Sequence, residues 1–230
     1  MNATIDHPEQ VDARYHQHTG NRFIRRISTV ARRRVHDLFM QTMRPTPGNR
    51  VLDIGASDDT GADSNMLEQH YPHRKNLTCA SLSDGKSILA AYPGVHHVRI
   101  AAGEPLPFGR DAFDIAYCNA VLEHAGSRAQ QKKFVAEMCR VAPHRFLAVP
   151  NRAFPIEPHT CLPFLHHLPQ KWFRRVLRGT RYEFWSHEEN LNYVSASEIL
   201  AMWPDDGSPT VVYAGIGFGP WKSNLVVYQD

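Results

Sequence analysis

Apolar residues fall in short unbroken runs through the middle of the chain, and amphipathic stretches separate them. Residues 22–43, "RFIRRISTVARRRVHDLFMQTM", repeat Phe23, Ile27, Val30, Val35, Leu38 and Met43 at roughly helical spacing. Arg22, Arg25, Arg26, Arg32, Arg33 and Arg34 fall on the opposite face. "RPTPGN" stops that helix. "RVLDIG" follows as a strand, and "SNMLEQHYP" as a helix with Ser64 as its expected N-cap and Pro72 at its end. "NLTCASL" and "HHVRIA" are strands on either side of the helical "GKSILAAYPG". "AFDIAYCNA" and "HRFLAVP" are strands on either side of "SRAQQKKFVAEMCRVA", a helix with Phe134, Met138 and Val141 on one face.

This alternation predicts an α/β fold with a doubly wound, mostly parallel sheet. After Pro150 the rhythm stops, and residues 151–194 are rich in Pro, His and aromatic residues. A segment of this length without regular periodicity is expected to be a lid or binding element after the fifth strand. "SASEILAMWP" resumes with a capping box, Ser195 and Glu198. "TVVYAGIGF" and "SNLVVYQD" have no helix between them, so they should close a seven-stranded sheet as an antiparallel C-terminal hairpin. The expected division is an N-terminal arm and basic amphipathic helix over 1–47 and a main domain over 48–230, with 151–194 as a lid insertion.

Composition narrows the function only modestly. The chain has 230 residues, 42% of them hydrophobic, which suffices for one α/β domain. A net charge of +3 is too small for a polycation. The N-terminus lacks the apolar segment of a secretory signal, and no apolar run approaches the ~18 residues of a membrane span. Cys79, Cys118, Cys139 and Cys161 form no CxxC pair, which suits reduced, mostly buried thiols in the cytoplasm. The fourteen histidines form no HExxH and no zinc-type Cys/His spacing, so no metal is expected. Trp172, Trp185, Trp203 and Trp221 are expected to pack in the core or lid.

The loop "DIGASDDTG" carries the first chemical signal. In an open α/β sheet a ligand sits beyond the carboxyl ends of the strands. A dinucleotide requires GxGxxG, so that backbone can approach a pyrophosphate. Here only Gly55 is in register, Ala56 and Ser57 follow, and Asp58 and Asp59 would repel phosphate. S-adenosylmethionine carries a sulfonium and an ammonium and no phosphate, so acidic neighbours suit it.

"VLDIGASDD", "AAGEPLPFGRDAFDIAYCNAVLEH" and "RVAPHRFLAVPNR" resemble, in order and spacing, the class I S-adenosylmethionine-dependent methyltransferases. The "LPF…FD…VLEH" run is most similar to the methyltransferase type 11 group. "EHAGSRAQQ", "PNRAFPIEPHT", "LPFLHHLP" and "EENLN" are similar to a bacterial branch of it. The resemblance spans roughly residues 48–228. It implies a Rossmann-like fold, a methyl-transferring enzyme and S-adenosylmethionine as cofactor. Asp53 would then orient the first loop, and Gly55 would admit the methionine moiety. Ser81 and Leu82 stand where the family places an acid for the ribose, and Asp84 is the nearest carboxylate. Ala102 replaces the family's adenine-binding Asp, leaving Gly103 and Glu104 to offer backbone groups. Asn119 and Ala120, and His124 after Glu123, would face the cofactor.

The acceptor side follows the fifth strand, where Asn151, Arg152, Glu157 and His159 leave the sheet. His159 is the first candidate general base and His124 the second, because an imidazole titrates near neutral pH. Arg152 could pair with a carboxylate or phosphate. Asp111 and Asp114 are expected to be turn and strand-end residues. The expected acceptor is an oxygen or nitrogen of a small molecule or of a glycan or lipid precursor. The protein would act as a monomer or homodimer, without DNA. The arginine helix keeps RNA methylation as a lesser alternative. Ser81 and Ala102 keep a non-catalytic binding protein as another.

Overall fold

The computed structural model describes residues 22–204 and 207–230. The N-terminal arm and the side chains of Arg22 and Phe23 lie outside the described residues. Seven strands form one sheet: β1 (Val51–Ile54), β2 (Leu77–Ser81), β3 (His96–Arg99), β4 (Ile115–Asn119), β5 (His144–Pro150), β6 (Thr210–Ala214) and β7 (Asn224–Gln229). Their order is β3-β2-β1-β4-β5-β7-β6. All pairings are parallel except those of β7, which runs antiparallel to both β5 and β6. The α/β reading with a C-terminal antiparallel hairpin is therefore borne out. The unbroken apolar runs have a direct cause. Every residue of β1 is buried, as are six of the seven in β5, because helices cover both faces.

One face is covered by α1 (Arg22–Met43), α2 (Met66–His70) and α3 (Lys86–Ala91). The other face carries α4 (Arg128–Val141) and α6 (Ala196–Met202). The capping boxes at Ser127/Gln130 and Ser195/Glu198 both form. The periodicity of α1 is right but its face is rotated. Ala31, Val35, Phe39 and Met43 are buried, whereas Val30 is 45% exposed. Phe39 packs edge-on against Tyr117 and Phe146, which sets the helix azimuth.

Several expectations need correction. The N-cap of α2 is Asn65, in a left-handed conformation, not Ser64. The Ser64 hydroxyl instead donates to Asp59 at 2.8 Å. Four of the six arginines of α1 have partners within the chain, although Arg25 and Arg33 stay about half exposed and Arg26 is exposed. Arg25 reaches the Asp63 carboxylate, Arg32 the Asp63 carbonyl, Arg33 the Asp37 carboxylate and Arg34 the Gly215 carbonyl. Trp172 and Trp221 are more than half exposed, while Trp185 and Trp203 are buried. Cys161 is partly exposed and lines the main cavity.

The segment between β5 and α6 contains one helix, α5 (Gln170–Leu177), that periodicity did not reveal. Phe173, Leu177, Trp185, Leu191 and Tyr193 form a small core of its own. Polar side chains lace this segment to the turn after β4. Gln131 donates to the carbonyls of Leu122 and Asn192, and Asn192 donates to that of Gly126. Those bonds fix the segment over the carboxyl ends of the strands.

Candidate functional site

The strand order reverses at β1, whose neighbours are β2 and β4, and a cavity of about 1230 Å³ opens beyond the carboxyl ends there. Gly55 makes the turn out of β1 at φ 99°, in the left-handed region that favours glycine. A Cβ at this position would lie 2.2 Å from a Val121 methyl. The rest of the loop is held by polar side chains rather than by further glycines. Asn65 accepts from the Ser57 amide and donates to the carbonyls of Ser57 and Asp59. Asp59 accepts from the Gly61 amide and the Ser64 hydroxyl, so this acid serves the loop. Asp58 lines the cavity, and its buried Oδ1 has no hydrogen-bond partner.

Beneath the loop, Asp53 is buried in the third position of β1, not at its end. Burial, and then the charge and hydrogen bond of Glu68 beside it, push its carboxyl well above the ordinary range. At the end of β2 the Ser81 hydroxyl lies 2.9 Å from Ser83 Oγ and 2.8 Å from His97 Nε2. Ser81, Leu82, Ala102, Gly103, Glu104, Asn119 and Ala120 all line the cavity. Asn119 Oδ1 is a second buried acceptor without a partner. Asp84 is outside the lining: it is exposed and paired with Lys86 at 2.6 Å.

The far end of the cavity holds a histidine pair. His124 sits in the single 3-10 turn after β4, and His159 in the segment after β5. Their Nε2 atoms are 3.4 Å apart with the rings near perpendicular, and Trp185 packs against both. Each imidazole is held from behind. His124 Nδ1–H donates to the Asn190 carbonyl at 2.6 Å. His159 Nδ1–H donates to Glu157 Oε1 at 2.7 Å, and the Tyr193 hydroxyl and the amides of His159 and Thr160 donate to the same carboxylate. Burial alone would raise Glu157, but the His159 charge and these hydrogen bonds outweigh it and bring the carboxyl down to about 2.

Glu123 shows the opposite balance. It is fully buried, faces the cavity, and neither carboxylate oxygen has a hydrogen-bond partner. Burial, only partly offset by the charges of His159 and Arg32 and by the nearby N–H of its own backbone, pushes it up to about 7. The native state thus penalises the ionised form. The penalty is absent below the unfolded value near 4.5, grows up to pH 7, and is full above it. In chelator-treated protein, Glu123→Gln should therefore be more stable than wild type at pH 8, by on the order of 3 kcal/mol. The difference should vanish near pH 4. Thermal unfolding at the two pH values checks this, and an equal difference at both would contradict it.

Of the residues expected to bind an acceptor, Asn151 and His159 line the cavity, while Arg152 and Glu157 do not. The Asn151 amide donates to the carbonyls of Pro220 and Lys222. Arg152 donates to the carbonyls of His166 and Leu168, and so braces the segment. Tyr193 and Asn65 were not singled out in the sequence, and Trp185 was expected only to pack in the core or lid. Asn65 carried a faint signal, since Asn tolerates left-handed backbone, while Tyr193 and Trp185 carried none beyond their size.

Comparison with known proteins agrees with this layout. A family described as "Methyltransferase domain" matches residues 52–144. No curated protein matches. Three solved structures similar to this chain share its fold at low identity. One is an S-adenosylmethionine-dependent methyltransferase of Thermotoga maritima, a possible histamine N-methyltransferase. It is 15% identical with a TM-score of 0.56, over 90% of each chain. Another is the magnesium protoporphyrin IX methyltransferase of Synechocystis PCC 6803, with bound S-adenosylhomocysteine. It is 14% identical with a TM-score of 0.57, over 94% of this chain and 90% of that one. The third is the N-methyltransferase NodS of Bradyrhizobium japonicum WM9, in complex with S-adenosylhomocysteine. It is 14% identical with a TM-score of 0.54, over 86% and 85%. Residues 52–144 thus match a methyltransferase domain, and the chain shares the fold of S-adenosylmethionine-dependent methyltransferases.

Proposed function

We propose that the cavity binds S-adenosylmethionine and that the enzyme methylates an oxygen or nitrogen of a small molecule or of a glycan or lipid precursor. The observation that carries this reading is one continuous cavity joining the Gly55 turn to the His124–His159 pair. The lining suits the cofactor. Gly55 leaves room where any side chain would strike Val121, and Asp58 Oδ1 and Asn119 Oδ1 are unpartnered acceptors for its ammonium and hydroxyl donors. Ser81 stands at the ribose position with His97 behind it, and Ala102–Glu104 offer backbone groups to the adenine. When bound, the cofactor supplies a methyl group on a sulfonium, which would take back the S–C electron pair as the acceptor's lone pair bonds to that carbon.

The chain's own residues then align and deprotonate. Residues 151–194 act as the acceptor-side lid, and α1, whose Ile24, Ile27 and Ala31 line the cavity, acts as its second wall. Such alignment can contribute ~7–11 kcal/mol. The acceptor's proton passes to an Nε2 of the histidine pair, and Glu157 stabilises the resulting imidazolium at His159. The four cysteines, three of them buried, suit a reducing cytoplasm. No helix of the described residues is long and apolar enough to cross a membrane. The internal contacts of Arg25, Arg32, Arg33 and Arg34 count against RNA as the acceptor.

Methyl-tritiated cofactor, incubated with the protein and with separate glycan, lipid and nucleic-acid fractions, tests this reading. Label is expected in a glycan, lipid or small-molecule fraction. His159→Gln should slow labelling by about 10²–10⁴-fold. Label in RNA alone would overturn the acceptor class, and full activity of His159→Gln would overturn the proton route.

A further inference from the structure

The hydrogen bonds behind the two imidazoles raise a question about what lies between them. Both Nδ1 atoms face acceptors, a carboxylate and a carbonyl, so both must carry their protons. In the neutral rings each Nε2 is then an acceptor as well. The structure sets these two acceptors 3.4 Å apart. Beside them, Glu123 Oε1 lies 3.8 Å from His124 Nε2, in a fully buried carboxylate without a hydrogen-bond partner. Three lone-pair donors therefore converge, all within 4.8 Å of one another. Such a group is unfavourable unless a proton or a metal cation sits among them.

We propose that Glu123, His124 and His159 bind one divalent transition-metal ion at the acceptor end of the cavity. The spacing fits. Two imidazole nitrogens on a tetrahedral zinc, each at ~2.05 Å, lie about 3.4 Å apart. The donor set fits too, because two imidazoles and one carboxylate favour zinc, manganese, cobalt or iron(II) over magnesium or calcium. A carboxylate–histidine pair and a carbonyl–histidine pair behind the ligands are the usual supports of such a site. All three residues line the cavity, so a further coordination position would suit the oxygen of a hydroxyl-bearing acceptor, such as a sugar or phenol. That last step rests on the acceptor-side reading given above; the metal site itself does not. With the ion bound, both Nε2 lone pairs are committed, and their proton-accepting role belongs to the metal-free protein.

Tag-free full-length protein, stripped with chelator and dialysed, is titrated calorimetrically with zinc and with manganese. The same samples are titrated with S-adenosylhomocysteine. One ion per chain with micromolar or tighter affinity is expected for at least one metal. Cobalt should give the visible absorption bands of a four- or five-coordinate site. His159→Ala should remove the site, and Glu157→Gln, which keeps the side-chain shape, should weaken it by about 10–100-fold. Unchanged S-adenosylhomocysteine binding in Glu157→Gln shows that the fold survives. Absence of binding by either metal, or binding that His159→Ala leaves unchanged, overturns the proposal. Metal binding without S-adenosylhomocysteine binding supports the metal site and removes the cofactor reading instead.

Discussion

Glu157→Ala is expected to destabilise the protein by about 3–5 kcal/mol and to abolish methyl transfer. The carboxylate is fully buried and takes hydrogen bonds from the Tyr193 hydroxyl, the amides of His159 and Thr160, and His159 Nδ1–H. Truncation leaves those donors without an acceptor in a site closed to water. The expected loss is a large part of the total stability of a domain, which is about 5–15 kcal/mol. Its pH dependence has a definite sign. The folded value near 2 lies below the unfolded value near 4.5, so the stabilisation is complete above 4.5. It is lost as pH falls through that window toward 2. Urea unfolding at pH 7 and pH 3 measures both effects. A loss under 1 kcal/mol at pH 7 would show that the carboxylate does not hold this part of the molecule together.

Gly55→Arg is expected to weaken S-adenosylhomocysteine binding by more than 100-fold while leaving the sheet intact. The glycine has φ 99°, and a Cβ there would collide with Val121, which lines the same cavity wall. A non-glycine residue in this conformation costs about 1–3 kcal/mol in strain, which the fold can bear. The arginine would also put a cation where the cofactor brings its own. Circular dichroism separates lost binding from lost folding. Binding within tenfold of wild type would place the cofactor elsewhere.

Much of the fold was legible because burial on both faces leaves a plain mark. β1, β4 and β5 are continuous apolar runs, and the missing helix between β6 and β7 predicted their antiparallel pairing. The azimuth of α1 was not legible. The expected spacing ran through Val30 and Leu38 and passed over Phe39, whereas Phe39 packs against Tyr117 and Phe146 and Val30 faces outward. Helix α5 was obscured by the Pro, His and aromatic residues around it. In the first loop, the acids were legible but their division of labour was not. Asp59 is taken up by Gly61 and Ser64, and only Asp58 faces the cavity with a buried, unpartnered oxygen.

The histidine cluster shows the limit most clearly. Its members Glu123, His124, Glu157, His159 and Tyr193 come from three separated segments, and no local spacing announces their meeting. The two histidines were named for their chemistry. Their perpendicular approach, and the buried carboxylate beside them, appear only once the segment after β5 folds back over β4.

The central claim is that this cavity is built for a phosphate-free adenosyl cofactor. Calorimetric titration of wild-type protein with S-adenosylmethionine and S-adenosylhomocysteine, with NAD as control, tests it most directly. Micromolar binding of the first two at one per chain, and none of NAD, is the expected result. A folded protein that binds neither, or that binds NAD more tightly, would contradict it.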